Sequence, residues 1–315
     1  MANKWRTIRH KFARDGNTDF ETISSDASAE LCVRLLSSPS VQNFSGIKAK
    51  LKSSPSEWIE DFLSHAGMEV LFECLRRLSN RKIGIVDAFL QLECVQCIKA
   101  VMNSKAGLTC IIEHGEYSRK LVKALDTDNT MIKKQVFELL SALCLYSEQG
   151  YQLAIDALEN YKMTKGQRYR FSLIVNELKN AEVVPYMSAC LAFINTILIS
   201  TDDFDERVRL RNEFVGLGLL DILTKLRHLD DDDLAVQIDV FEERRLDDDD
   251  ELMLPEGVNL TSHIDVFHAV FKRVSDKPQG MNLLSILQNF LMIDEESPIS
   301  DLVWETIEKL VKKAV

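Results

Sequence analysis

Apolar residues recur at steps of three and four along almost the whole chain, and alternation at every second position is scarce. The 12 glycines and 6 prolines fall between the periodic runs, which predicts an all-α fold. Three runs share one form: "AGMEVLFECLRRL" (66–78), "HGEYSRKLVKAL" (114–125) and "LGLLDILTKL" (217–226) each follow a glycine with leucines at i, i+3 or i+4 and i+7. They read as equivalent helices of a repeated unit.

Two glycine-anchored segments, "CIKAVMNSKAGLTCII" (97–112) and "ELLSALCLYSEQGYQLAI" (138–155), place Gly107 and Gly150 43 residues apart. That step falls within the roughly 40–47 residues of HEAT and armadillo units. Such a unit cannot bury its apolar stripe alone, so the expected architecture is an armadillo-repeat-like α-solenoid, a right-handed superhelix of stacked helical repeats. Its groove would be lined by the last helix of each unit, expected at 91–104, 132–147, 185–200, 233–244 and 280–293. The spacing is uneven: the third helix comes late, after "ENYKMTKGQRYRF", and a charged insertion separates the fourth from the fifth. Residues 1–50 read as a helical lead-in and 51–315 as the repeat domain. Three closing helices are expected after Pro255 and Gly257, the last capped by Ser300, with Trp304, Ile307, Leu310 and Val311 on one face.

Charge narrows the class of partner. The net charge is −11, from 49 acidic against 38 basic side chains, which argues against nucleic acid and favours a basic or apolar ligand. The first residues are the exception: Lys4, Arg6, Arg9, Lys11 and Arg14 precede any acid, hold +5 and leave −16 for the rest. With Trp5, Ile8 and Phe12 on one side, this stretch can dock on the first repeat, lie on a membrane surface or meet an acidic partner. No apolar run approaches the roughly 20 residues of a membrane span. Seven cysteines among aliphatic neighbours suit buried free thiols in a reducing compartment.

Candidate chemistry is sparse. Cys94 and Cys97 form a C-x-x-C pair, but it is solitary, lies inside a helical run and has no partner motif downstream, so it reads as core packing. The acidic runs "HLDDDD" (228–233) and "LDDDDEL" (246–252) lack the alternating ligands and the glycine of a calcium loop and read as solvated acids at helix ends or in a loop. No nucleophile elbow, P-loop, dinucleotide fingerprint or H-E-x-x-H occurs. The expectation is therefore a binding module with no cofactor, no metal and no catalysis.

Aligning Ile98, Leu140 and Ile194 as one buried knob puts Lys99, Ser141 and Asn195 at one equivalent site and Ala100, Ala142 and Thr196 at the next. Asn103 follows Lys99 by four residues and Leu145 follows Ser141 by four, so each pair shares a stripe one turn apart. Ordinary helix packing and a ligand-facing stripe both account for this spacing.

"SPSEWIEDFLSHAGMEVLFECLRRL", "CIKAVMNSKAG", "VFELLSALCLYS", "AFINTIL", "RVRLRNEFVGLGL", "VQIDVFEE" and "LLSILQNFL", in this order from about residue 54 to 293, resemble the N-terminal regulatory region of diaphanous-related formins, the diaphanous inhibitory domain. "AELCVRLLSSPSVQNFSG", "MIKKQVFELLSALCLYS" and "YRFSLIVNEL" resemble the inverted-formin subgroup. The resemblance implies a clamp whose groove binds an amphipathic, leucine-rich, partly basic C-terminal autoregulatory helix, in cis or in trans, and so restrains FH2-driven actin assembly. It implies groove positions at Lys99, Asn103, Ala142, Leu145, Asn195 and Gln237. It also implies a link to actin and a cytoplasmic, cytoskeleton-associated setting. The alternative it leaves open is a Rho-family GTPase effector or scaffold working through the N-terminal helix and first repeats. With no proline tract and no FH2-sized remainder, the chain is expected to be a fragment of a formin or a short form.

Overall fold

A computed structural model describes residues 27–79, 84–251, 258–259, 262–294 and 296–314. Among the described residues every regular element is an α-helix, seventeen in all. They fall into two compact units that divide between Arg245 and Leu246. The basic stretch at residues 4–14 lies outside the described residues.

The first unit opens with α1 (Ala29–Leu36) and α2 (Val41–Ser53), the second of which straddles the expected boundary at residue 50. Four three-helix repeats follow. The first is α3 (Ser56–Ser64), α4 (Gly67–Ser79) and α5 (Ile85–Met102); the second is α6 (Lys105–Glu113), α7 (Glu116–Lys123) and α8 (Thr130–Tyr146). The third is α9 (Glu148–Lys165), α10 (Ser172–Lys179) and α11 (Val184–Ile199), and the fourth is α12 (Phe204–Gly216), α13 (Leu219–Leu226) and α14 (Asp232–Glu251), whose last six residues belong to the second unit. The long helices α2, α5, α8 and α11 pack side by side in one row.

The corners between repeats are written in the sequence as Ser-x-x-Gly. Ser104 caps α6, its Oγ accepting from the Gly107 N–H at 3.0 Å, and Ser147 caps α9 by accepting from Gly150 N–H at 3.1 Å. A Cβ at Gly107 would sit 2.1 Å from the Val101 carbonyl oxygen, and one at Gly150 2.2 Å from that of Leu143. Here the 43-residue step has its cause: each glycine lets a new helix start against the backbone end of the preceding long one. Both glycines stand inside a helix, in its first turn, rather than between elements.

Aromatic pairs join each repeat to the next. Phe72 stacks on Tyr117 at 4.7 Å, Phe137 meets Phe193 at 5.5 Å, and Phe171 stacks on Phe214 at 4.2 Å. All six rings are buried, so these contacts add about 0.5–1.5 kcal/mol each beyond the area they remove from water. The knobs Ile98, Leu140 and Ile194 are fully buried, as their spacing predicts. Arg211 is buried on α12 and donates from Nη1 to the Arg245 carbonyl at 3.0 Å, tying α12 to α14.

The second unit contains α15 (His263–Val274), α16 (Gln279–Phe290) and α17 (Ser300–Ala314). Neither α15 nor α16 buries a residue, and in α17 only Ser300 is buried. Phe290 and Trp304 meet at 5.4 Å. Ser300, expected as the cap of this last helix, is instead the first residue of α17, and its buried Oγ has no hydrogen-bond partner. The second acidic run lies at a helix end, one of the two places expected for it, as the last residues of α14; within it Asp248 is buried rather than solvated.

Candidate peptide-binding groove

Five of the six expected groove residues lie on or at the end of the long helices α5, α8 and α11, and Gln237 lies on α14. Polar side chains stitch neighbouring helices of the row together. Lys48 on α2 pairs with Glu93 and donates to Gln96 Oε1 at 2.8 Å, both on α5. Lys99 on α5 reaches Glu138 Oε2 on α8 at 2.5 Å, and Glu138 also lies 3.6 Å from Lys134 Nζ. Asn195 on α11 donates from its side-chain amide to the Gln237 carbonyl at 2.8 Å and to Gln237 Oε1 at 3.1 Å, both on α14.

The expected residues therefore divide. Lys99 is half-exposed, and Asn103, the residue that ends α5, is exposed. Ala142 is exposed, and Leu145 presents 63% of its surface to solvent although it is a large apolar side chain. Glu138, Ala142 and Leu145 follow one another at i, i+4 and i+7, so they form one stripe along α8. Asn195 differs: it is 3% exposed and its Nδ2 is spent on Gln237 of α14, while its buried Oδ1 has no hydrogen-bond partner, so it works as a strut beneath the surface. Gln237 is its half-buried partner. Ala100 and Thr196 are buried where Ala142 is exposed, so the expected equivalence of those three positions does not extend to exposure. The helix expected at 280–293 is α16, which belongs to the second unit.

Ile199 was missed. It ends α11 with 45% of its surface exposed, five residues after the knob Ile194, as Leu145 lies five after Leu140 and Asn103 five after Ile98. The same register would have found it. Leu145 and Ile199 thus put two large apolar side chains on the exposed ends of α8 and α11.

Just beyond them a cleft of about 410 Å³ is lined by Glu148, Tyr151, Arg170, Thr201, Asp202 and Glu206, among others. The Arg209 hydrogen bond holds the Glu206 carboxyl below its ordinary range, so this carboxylate stays charged at neutral pH. Arg170 is spent on Glu213 through bonds of 2.6 and 3.0 Å, which leaves the cleft acidic in character.

Cys94 and Cys97 are core residues, as the sequence suggested. Both are fully buried, their thiols donating to the carbonyls of Leu71 at 3.2 Å and Phe44 at 3.4 Å. Burial pushes both thiols well above their ordinary range, the opposite of an activated thiolate. Among the described residues no group of three or more His, Cys, Asp or Glu side chains is arranged to hold a metal ion. No helix among them is long and apolar enough to cross a membrane.

Comparison with known proteins fits this geometry. The family described as Diaphanous FH3 Domain matches residues 151–315, and that described as Diaphanous GTPase-binding Domain matches residues 3–145. The chain is 48% identical over 314 residues to Inverted formin-2 of Xenopus laevis, covering 99% of this chain and 29% of that protein. It is 30% identical to Protein diaphanous homolog 2 of Mus musculus over 98% of this chain and 28% of that protein. It therefore spans less than a third of the relatives it matches. Among solved structures, E. histolytica Formin1 bound to EhRho1-GTPgammaS superposes with a TM-score of 0.63 at 15% identity, covering 80% of this chain and 87% of that one. A designed armadillo repeat protein in complex with a (KR)4 peptide superposes at 0.51 and 16% identity, covering 68% and 80%. The fold is thus the armadillo-type α-solenoid. The chain belongs to the diaphanous-type formins, as the non-enzymatic, protein-interacting N-terminal region that joins their GTPase-binding and FH3 domains.

Proposed function

We propose that this region is an autoinhibitory clamp: the face formed by α5, α8 and α11 binds an amphipathic C-terminal autoregulatory helix, and binding restrains FH2-driven actin filament assembly in the cytoplasm. The observation that supports the reading is the pair of solvent-facing apolar side chains, Leu145 and Ile199, beside the exposed Ala142 at the corresponding ends of the neighbouring helices α8 and α11. A leucine stripe laid on them would remove apolar surface from water on both partners, as in helix-in-groove recognition. The small side chain of Ala142 leaves room for a ligand leucine to approach the α8 backbone.

Ala142→Asp tests this directly. Because Ala142 is exposed in the free domain, the variant folds, yet in the complex its carboxylate would face the ligand's leucines without a partner. The expected cost is about 3 kcal/mol, or roughly a hundredfold in Kd. Titrating both proteins with a synthetic formin C-terminal autoregulatory peptide reads it; equal affinities from two folded proteins would remove the groove from this role.

A second reading concerns the first repeats. The GTPase-binding family covers residues 3–145, and a structural neighbour is a formin bound to a Rho protein. We assign Rho-family GTPase binding to this part of the chain, with the N-terminal basic segment contributing. Deleting residues 1–30 should abolish capture by a GTP-loaded Rho-family protein and leave peptide binding in the groove intact. Loss of both together would mean that the two activities share one surface.

A further inference from the structure

Two adjacent cations followed, after one intervening residue, by a serine occur twice in the sequence: "RRLS" (76–79) and "KRVS" (272–275). Cations at the third and second positions before a serine are the charge pattern that an acidic kinase cleft selects. The pattern alone does not choose between the two serines. Their surroundings do.

Ser79 is the last residue of α4, and its hydroxyl is spent. Its Oγ donates to the Leu75 carbonyl at 2.9 Å and accepts from Gln91 Nε2 at 2.8 Å. Arg76 and Arg77 both close on Glu73, at 2.7 and 2.9 Å. A kinase grips its substrate as an extended strand, so reaching Ser79 would unwind the end of α4 and pull Leu75 and Leu78 out of the core, where both are buried.

Ser275 is the opposite case. It is exposed in the turn between α15 and α16, and Lys272, Arg273 and Lys277 around it are exposed as well. Among the described residues no acid pairs with any of these three cations. Because α15 buries no residue, its last turn can open without emptying a core.

We propose that Ser275 is a phosphorylation site for a basophilic serine kinase. The Ser275 Oγ attacks the γ-phosphorus of a nucleoside triphosphate, the bond from that phosphorus to the β–γ bridging oxygen breaks, the hydroxyl proton passes to the kinase's base, and the nucleoside diphosphate leaves. The phosphoserine carries a charge of about −1.5 to −2 at pH 7 and stands where the carbonyl end of α15 is already partially negative, so it loosens the last turn. Phe267, Phe271 and Ser275 follow one another at i, i+4 and i+8, so the phosphate also ends the exposed stripe formed by the two stacked rings.

The test treats the full chain with ATP and the catalytic subunit of cyclic-AMP-dependent protein kinase as the basophilic probe, and maps the product by mass spectrometry. Phosphate should enter at Ser275 and not at Ser79. Ser275→Ala should abolish this incorporation, and Arg273→Gln should slow it by about tenfold through the loss of one charge-assisted contact. Synthetic peptides covering 72–83 and 268–279 should both be phosphorylated, which would assign the difference in the folded chain to its structure. Hydrogen exchange of the amides at 271–275 should quicken several-fold in the phosphorylated chain. An unmodified Ser275 in the folded chain, whether or not its peptide reacts, overturns the site. Equal labelling of Ser79 and Ser275 overturns the selection by fold, and unchanged exchange overturns the loosening of α15.

Discussion

Phe193 and Phe271 both sit in apolar helices with three- and four-residue spacing, but Phe193 on α11 is completely buried and Phe271 on α15 is 49% exposed. The same contrast separates the two units. Up to Arg245, rings from successive repeats pair across every junction and one core runs through the helices. From Leu246 on, Ile264, Phe267, Met281, Leu291, Leu302 and Leu310 all stand at the surface. An amphipathic pattern states that a helix needs a partner; whether it has one depends on the neighbour.

This contrast can be broken most forcefully in the aromatic contacts. Phe193→Ala should cost about 3–5 kcal/mol of stability, whereas Phe271→Ala should cost less than about 1, because only the first leaves a cavity. Denaturant titration of the two variants checks this, and similar losses would mean that α15 is covered in solution. Next come the corners. Gly150→Ala should cost about 3 kcal/mol, since its methyl would meet the Leu143 carbonyl oxygen at 2.2 Å. The second-unit counterpart Gly280→Ala meets the Val274 carbonyl oxygen at 2.8 Å and should cost less.

A third comparison uses alkali. Burial pushes the thiols of Cys144 and Cys190, both in the first unit, up to about 12 from an ordinary 9.0. The unfolded chain releases these protons first, so ν_U falls below ν_N and stability declines between pH 9 and 12, by about 1.4 kcal/mol per pH unit for each thiol. Melting scans should show this decline, and Cys144→Ser should lessen it. The smallest expected effect is at the surface: Glu30→Gln removes an exposed pair with Arg34 and should change stability by less than about 0.5 kcal/mol.

Much of the fold was legible because its helices are amphipathic. The expected start of the first groove helix at 91 missed the six residues from Ile85, for a physical reason: α5 is packed on most sides, so its apolar positions show no stripe from which to read an end. Lys99, Ala142 and Leu145 were reachable from the period alone, and Ile199 was too. Asn195 shares the register of Lys99 yet is covered, and its amide nitrogen is taken by Gln237 of α14. Register gives direction from a helix axis; it does not say how close the next helix comes. The bond from Lys99 to Glu138 was equally invisible, since it joins residues 39 positions apart.

The two Ser-x-x-Gly corners have one more consequence. Where helices meet through side chains, their spacing drifts whenever a side chain changes size; at Gly107 and Gly150 backbone rests on backbone, and that distance has nothing left to vary. The interval between the ends of α5 and α8 is thereby gauged by the peptide unit itself. Lineages can retune the chemistry displayed on those ends, through positions such as Asn103 and Leu145, while the ruler beneath them keeps its graduation.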